Sequence, residues 1–278
     1  SGNGISAAGQ FDPSVATAGT HTLTYTYTSA VGCAASASTT ILVDPVPVAS
    51  FNALDFICID KSLELQNNST ITTGNITSWY WSFGDGNTDV RTNGNVFNHN
   101  YTDYKSYDVS LKVLSNKGCE SETFNKTVIV HPLPVVDFDI PAVICMPNGN
   151  AVFTNNTTEA NNSTLSYSWN MGVAGSAVVA TKDVTYVYPA INNYNVTLLA
   201  RSVYGCEASL VKQLPIGNFY GKPTARFNIT PAELCQGVET LFTESSTAQN
   251  NTIEEWHWLL GDGSTSTQQT PVKSYNRP

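Results

Sequence analysis

The sequence predicts an all-β protein built from tandem copies of a small two-sheet sandwich, arranged end to end as an elongated rod. Three observations carry this expectation. First, four residue types recur with one period. Cys58, Cys145 and Cys235 lie 87 and 90 residues apart, and Cys33, Cys119 and Cys206 lie 86 and 87 apart. Trp81, Trp169 and Trp258 step by 88 and 89, Phe51, Phe138 and Phe227 by 87 and 89, and Tyr101, Tyr188 and Tyr275 by 87. A fixed period marks one folding unit copied along the chain. Second, apolar and polar residues alternate through Tyr107-Asp108-Val109-Ser110-Leu111-Lys112-Val113 and again through Tyr194-Asn195-Val196-Thr197-Leu198, the pattern of a half-buried strand. Third, turn signals such as Asn93-Gly94-Asn95, Asn116-Lys117-Gly118 and Asn148-Gly149-Asn150 punctuate short strands, and no segment carries a helical period.

Composition narrows the setting. Only 13% of the 278 residues are charged, about half the usual share of a globular protein. Neutral polar residues take their place, with 33 Thr and 27 Asn, while 41% hydrophobic residues suffice for buried cores. A net charge of -9 repels polyanions, which argues against nucleic acid as a partner. No apolar run reaches the 18 or so residues of a spanning helix, so direct membrane insertion is not expected. The segment from Ser1 has neither an initiator Met nor the basic and apolar stretches of a signal peptide, so the chain reads as mature or internal. The six Cys include no C-x-x-C pair, and His21, His99, His131 and His257 are scattered. Disulfides in an oxidising compartment fit this better than zinc.

Taken in order, residues 1–44 read as the last part of a module, because His21-Thr22-Leu23-Thr24-Tyr25-Thr26-Tyr27 precedes Cys33 as the Tyr107 strand precedes Cys119. Residues 45–131 and 132–216 are complete modules, and 217–278 is a module cut at its C-terminal side. Asp44-Pro45-Val46-Pro47 and His131-Pro132-Leu133-Pro134 are equivalent stiff connections. The third junction, from Pro215 through Gly217 and Gly221 to Pro223, is glycine-rich and is where a hinge is expected.

Cys58 to Cys119 and Cys145 to Cys206 are both separated by 61 residues and read as disulfides within a module, each stabilising by about 4 kcal/mol through loop closure. On the same rule Cys33 and Cys235 are unpaired, their partners falling upstream of Ser1 and beyond Pro278. A link between Cys33 and Cys58 is the rival pairing.

At Trp79-Tyr80-Trp81-Ser82-Phe83-Gly84-Asp85-Gly86, followed by Asn100-Tyr101 and the Tyr107 strand, the chain resembles the PKD (polycystic kidney disease) family. Trp258-Leu259-Leu260-Gly261-Asp262-Gly263 repeats the hallmark, whereas Trp169-Asn170-Met171-Gly172-Val173-Ala174 keeps only the Trp and first Gly. The resemblance implies extracellular Ig-like sandwiches, degenerate in the middle copy. With its cysteines and P-x-P linkers the chain is similar to the large gliding-motility adhesins of Bacteroidetes.

Each residue that could carry chemistry also has a structural reading. Asp85 and Asp262 in Gly-Asp-Gly turns are expected to cap their own backbone; weak calcium ligation, aided by Asn87 and Asp89, is the alternative. Trp81, Trp169 and Trp258 are expected in the core rather than as a sugar platform. Asp137 and Asp139 mimic a catalytic carboxylate pair, but their equivalents Ser50, Asn52, Arg226 and Asn228 mark a solvated edge. No nucleophile elbow, zinc helix or phosphate loop occurs, so no enzyme activity and no cofactor are expected. These observations point to a non-catalytic extracellular stalk or adhesion segment. Its partners are neighbouring repeats, with surface glycans or other cell-surface proteins as ligands. The alternative is a spacer or substrate-binding array of a secreted hydrolase whose catalytic domain lies elsewhere.

Overall fold

A computed structural model describes every residue except Ser1, Asn3, Ala7, Leu234, Arg277 and Pro278. The outermost bounds of the first and last modules therefore lie outside the described residues. The chain divides into two compact units, residues 1–133 and 134–278.

The first unit opens with one helical turn, Pro13–Ala16, which no sequence period announces. Asp12 accepts the Ser14 amide at 2.9 Å and Pro13 stands in the first turn, so local capping suffices for a turn too short to show a period. Gly19–Thr28 and Ala34–Val43 then form an antiparallel hairpin with full ten-residue register, Gly19 opposite Val43 and Thr28 opposite Ala34.

Beyond the hairpin the chain builds a sandwich. One sheet has five strands in the order Phe56–Cys58, Phe124–His131, Ser106–Ser115, Ile76–Ser82 and Thr88–Arg91. The other has three, Phe51–Asn52, Leu63–Asn67 and Phe97–His99. The alternation in the sequence is realised literally: Tyr107, Val109, Leu111 and Val113 are buried while Asp108 is exposed. Those side chains meet Phe51, Leu63, Leu65, Trp79 and Trp81 in one core. Burial of this kind stabilises by about 2 kcal/mol per large apolar side chain.

The second unit repeats the arrangement. Leu165–Asn170, Tyr194–Ser202 and Glu207–Leu214 form one sheet; Phe138–Asp139, Asn150–Asn155 and Val184–Val187 form the other. Ile144–Cys145 pairs in parallel with Phe219–Tyr220, as Phe56–Cys58 pairs in parallel with Phe124–His131. Trp169, Phe138, Phe153 and Leu198 are fully buried. The third copy contributes Phe227–Thr230, Glu239–Glu244 and Val272–Ser274, with a short pair Trp258–Leu259 and Thr265–Ser266. Among the described residues it has no counterpart of the long strands Ser106–Ser115 and Phe124–His131, so Phe227 is 52% exposed where Phe51 and Phe138 are buried. An apolar cleft of about 510 Å3 lies there, lined by Phe227, Phe242, Trp256, Trp258 and Leu260.

Candidate functional site: the Gly-Asp-Gly turns and the cysteine turns

The Gly-Asp-Gly turn follows the strand that carries the core tryptophan. Gly84 has φ +79, and a Cβ there would stand 2.8 Å from the Asp108 amide nitrogen and 2.9 Å from its carbonyl oxygen. Gly172 meets the Asn195 backbone in the same way, at 2.7 Å from the oxygen. The neighbouring strand therefore approaches too closely for any side chain, which explains why the first glycine survives in the degenerate copy. In all three copies a tyrosine locks the turn from the far side: Tyr101, Tyr188 and Tyr275 donate their hydroxyls to the carbonyls of Phe83, Met171 and Leu260 at 2.9, 3.2 and 2.6 Å. Burial pushes the Tyr101 and Tyr188 hydroxyls well above the ordinary phenol value.

The Asp85 carboxylate accepts from the Asn87 amide, the Asn87 side chain and His99 Nε2 at 2.9, 2.9 and 2.8 Å. An ionised carboxylate only accepts, so Nε2 carries the proton. Burial, the largest single influence, works against ionisation of Asp85, but the Asn87 and His99 hydrogen bonds outweigh it and hold its pKa below 3.8. The His99 ring lies flat on Phe83, centroids 3.9 Å apart, and edge-on to Tyr101. In the third copy Asp262 accepts from Lys273 Nζ at 2.7 Å and from the Ser264 amide at 2.9 Å. Lys273 is the chief cause of its depressed pKa.

His99, Tyr186 and Lys273 are 87 residues apart and each stands two residues before the locking tyrosine. Where the turn carries Asp, this position supplies a hydrogen-bond donor. Where it carries Val173, the position holds Tyr186, and both side chains pack on the core. The capping role expected of Asp85 and Asp262 is thus what their carboxylates perform, with their oxygens committed to protein donors; a cation at Asp262 would have to displace the Lys273 ammonium. His99 and Lys273 were not singled out from the sequence, although their shared offset from the repeated tyrosine is visible there. Gly86 and Gly263, at φ +94 and +84, face open space.

Trp81 and Trp169 are 3% and 0% exposed, and Trp169 Nε1 donates to the Thr181 carbonyl at 3.0 Å. Trp258 is half-buried and donates to the Gln268 carbonyl at 2.7 Å. Asp137 and Asp139 do not act as a pair: Lys212 Nζ binds Asp137 at 2.7 Å and lowers its pKa, while Asp139 accepts from Asn156 at 3.0 Å.

The cysteines depart from expectation. Cys58 and Cys206 are disulfide-bonded, whereas Cys119 and Cys145, with Cys33 and Cys235, are free thiols. The pairs Cys58 with Cys119 and Cys145 with Cys206 are therefore not formed. The reason is geometric. Cys58 lies opposite His131, at the end of the strand Phe124–His131, while Cys119 lies in the turn before that strand begins. Seven strand steps at ~3.3 Å separate Phe124 from His131, about 23 Å, and a disulfide needs Cα atoms within about 7 Å. Cys145, opposite Tyr220, and Cys206, before the strand Glu207–Leu214, are placed alike. An equal spacing in sequence recorded equal slots at opposite poles, not proximity.

The slot of Cys33, Cys119 and Cys206 is one turn built three times. Ser29, Ser115 and Ser202 donate their amides to the carbonyls of Cys33, Cys119 and Cys206 at 2.8, 2.9 and 2.9 Å. Their hydroxyls accept the cysteine amides at 3.1, 3.1 and 3.3 Å. Gly32, Gly118 and Gly205, at φ +88, +79 and +82, make the reversal.

The PKD domain family matches residues 44–130 and 221–278. The span between them holds the copy whose turn has become Gly-Val-Ala. Among solved structures, the chain is similar to the PKD1 domain of Vibrio anguillarum Epp at 29% identity, covering 31% of this chain and 95% of that one with a TM-score of 0.28. It is similar to the PKD1 domain from the Vibrio cholerae metalloprotease PrtV at 34% identity, covering 31% and 96% with a TM-score of 0.27. Fibronectin(III)-like modules of Clostridium thermocellum CbhA match at 11% identity over 60% of this chain and 91% of that one, TM-score 0.34. PKD domains are generally non-catalytic and typical of extracellular or secreted proteins, in adhesion regions and in accessory regions of hydrolases. With the family matched over more than half its length and the Gly-Asp-Gly turn built in two of its copies, the chain belongs to the PKD domain family.

Proposed function

We propose that this chain is a non-catalytic stalk or adhesion segment of a large extracellular repeat protein of the gliding-adhesin type, carrying a binding surface away from a cell envelope. The observation that supports this most directly is that the conspicuous polar groups repeat as scaffold. The Asp turn is built twice, and the locking tyrosine and the cysteine turn three times each, and every one of them is occupied with holding strands together. The stiff Pro-x-Pro connections suit a spacer. A sparsely charged surface rich in Thr and Asn limits nonspecific attraction while leaving hydrogen-bonding groups for glycans or surface proteins.

Small-angle scattering tests the reading. Modules about 35 Å long, set end to end, give a maximum dimension above roughly 100 Å and a radius of gyration near 30 Å. A radius near 19 Å, that of a compact globule of this length, overturns it.

A further inference from the structure

Each complete module has two cysteine slots, and chain direction distinguishes them. At the leading pole the chain comes in: Val48 bridges Thr70, Val135 bridges Thr158, and the loops beyond them run to Ile76 and Leu165, which face Ser115 and Ser202 of the cysteine turns. Cys119 and Cys206 therefore occupy the leading slot. At the trailing pole the chain leaves: Cys58 is opposite His131 and Cys145 is opposite Tyr220, at the ends of their modules. The trailing slot is disulfide-bonded in one module, at Cys58, and the leading slot in the other, at Cys206. The free thiols are the same two slots in the opposite modules: Cys119 is half-buried and Cys145 exposed.

We propose that Cys119 and Cys145 are half-cystines for links to further copies of this module, with a leading-slot cysteine always joined to a trailing-slot cysteine. The proposal rests on the array reading above and adds a chemical rule to it. The bonds that tie Cys119 to Ser115 match those that tie Cys206 to Ser202 within 0.2 Å, so the serine-held backbone that presents the bonded Cys206 is present at Cys119. Cys145 shares with Cys58 the parallel bridge that fixes its backbone. The two bonded cysteines, Cys58 and Cys206, are one trailing-slot and one leading-slot residue, and that selects the mixed pairing. The link forms by two exchanges. The Cys145 thiolate attacks oxidised glutathione and releases one reduced glutathione. The Cys119 thiolate of a second copy then attacks the mixed disulfide and releases another, so two thiols lose two protons and two electrons to one glutathione disulfide.

The test uses the 278-residue chain carrying Cys33→Ser and Cys235→Ser, concentrated with oxidised glutathione. It is then blocked with N-ethylmaleimide, digested without reductant and read by mass spectrometry. The expected result is an intermolecular Cys119–Cys145 peptide at least about tenfold more abundant than Cys119–Cys119 or Cys145–Cys145. Chains of linked molecules should be lost when either residue is changed to Ser. Symmetric links in comparable amount, or both thiols fully blocked and unlinked, overturn the proposal. An elongated particle with no mixed link removes this rule and leaves the stalk standing; a compact particle removes the stalk.

Discussion

Lys273 stands in the third copy where His99 stands in the first, and each donates to the aspartate of its Gly-Asp-Gly turn, at 2.7 and 2.8 Å. The middle copy, with Val173 in place of the aspartate, has Tyr186 at this position. The turn and the residue two before the locking tyrosine thus vary as a unit.

Acid should weaken the first sandwich through Asp85. Its pKa is held below 3.8, so between its folded and unfolded values the unfolded chain binds the extra proton. The stabilisation is present above pH 3.8 and is lost as pH falls through the folded value. Hydrogen exchange of the strand Ser106–Ser115 should accelerate below about pH 4 in the parent. Asp85→Asn should lower stability at pH 7 by about 1.5–3 kcal/mol, the worth of a hydrogen bond to a charged group, and flatten the acid response. An unchanged acid profile in the variant would remove Asp85 as its source.

The pairing can be transplanted. Val173→Asp alone should destabilise the second module, and adding Tyr186→His should recover about 1 kcal/mol of the loss. Strict additivity of the two changes, measured by urea unfolding, would show that the positions do not communicate.

Two glycines of one turn should respond differently. Gly86→Ala suffers only its positive φ and should cost about 1–2 kcal/mol. Gly84→Ala also drives its Cβ into the Asp108 backbone at 2.8 Å and should cost clearly more. Thermal unfolding that ranks them the other way contradicts the close approach.

Core burial sets the order among the repeated tryptophans. Trp169→Ala should cost about 3–5 kcal/mol, as for a fully buried aromatic, and Trp258→Ala markedly less because its ring is half-buried. Circular dichroism melts of both variants decide the ranking.

Alkylation without reductant should label Cys33, Cys119, Cys145 and Cys235 and spare Cys58 and Cys206. Labelling of Cys58 would contradict its disulfide.

Local and periodic properties were legible in advance. Strand alternation, the core tryptophans and the capping aspartates are written along the chain, because pleat period and turn chemistry act over a few residues. The repeat itself exposed the slots. Partners across a turn were harder to see: His99 lies 14 residues beyond Asp85, and only strand pairing brings them together. The cysteines show the limit most sharply. Identical spacing established that Cys58 and Cys145, and separately Cys119 and Cys206, are equivalent, but separation along a chain is a scalar. Which pole each sulfur occupies depends on strand direction and register, and those arise only when the sheets assemble.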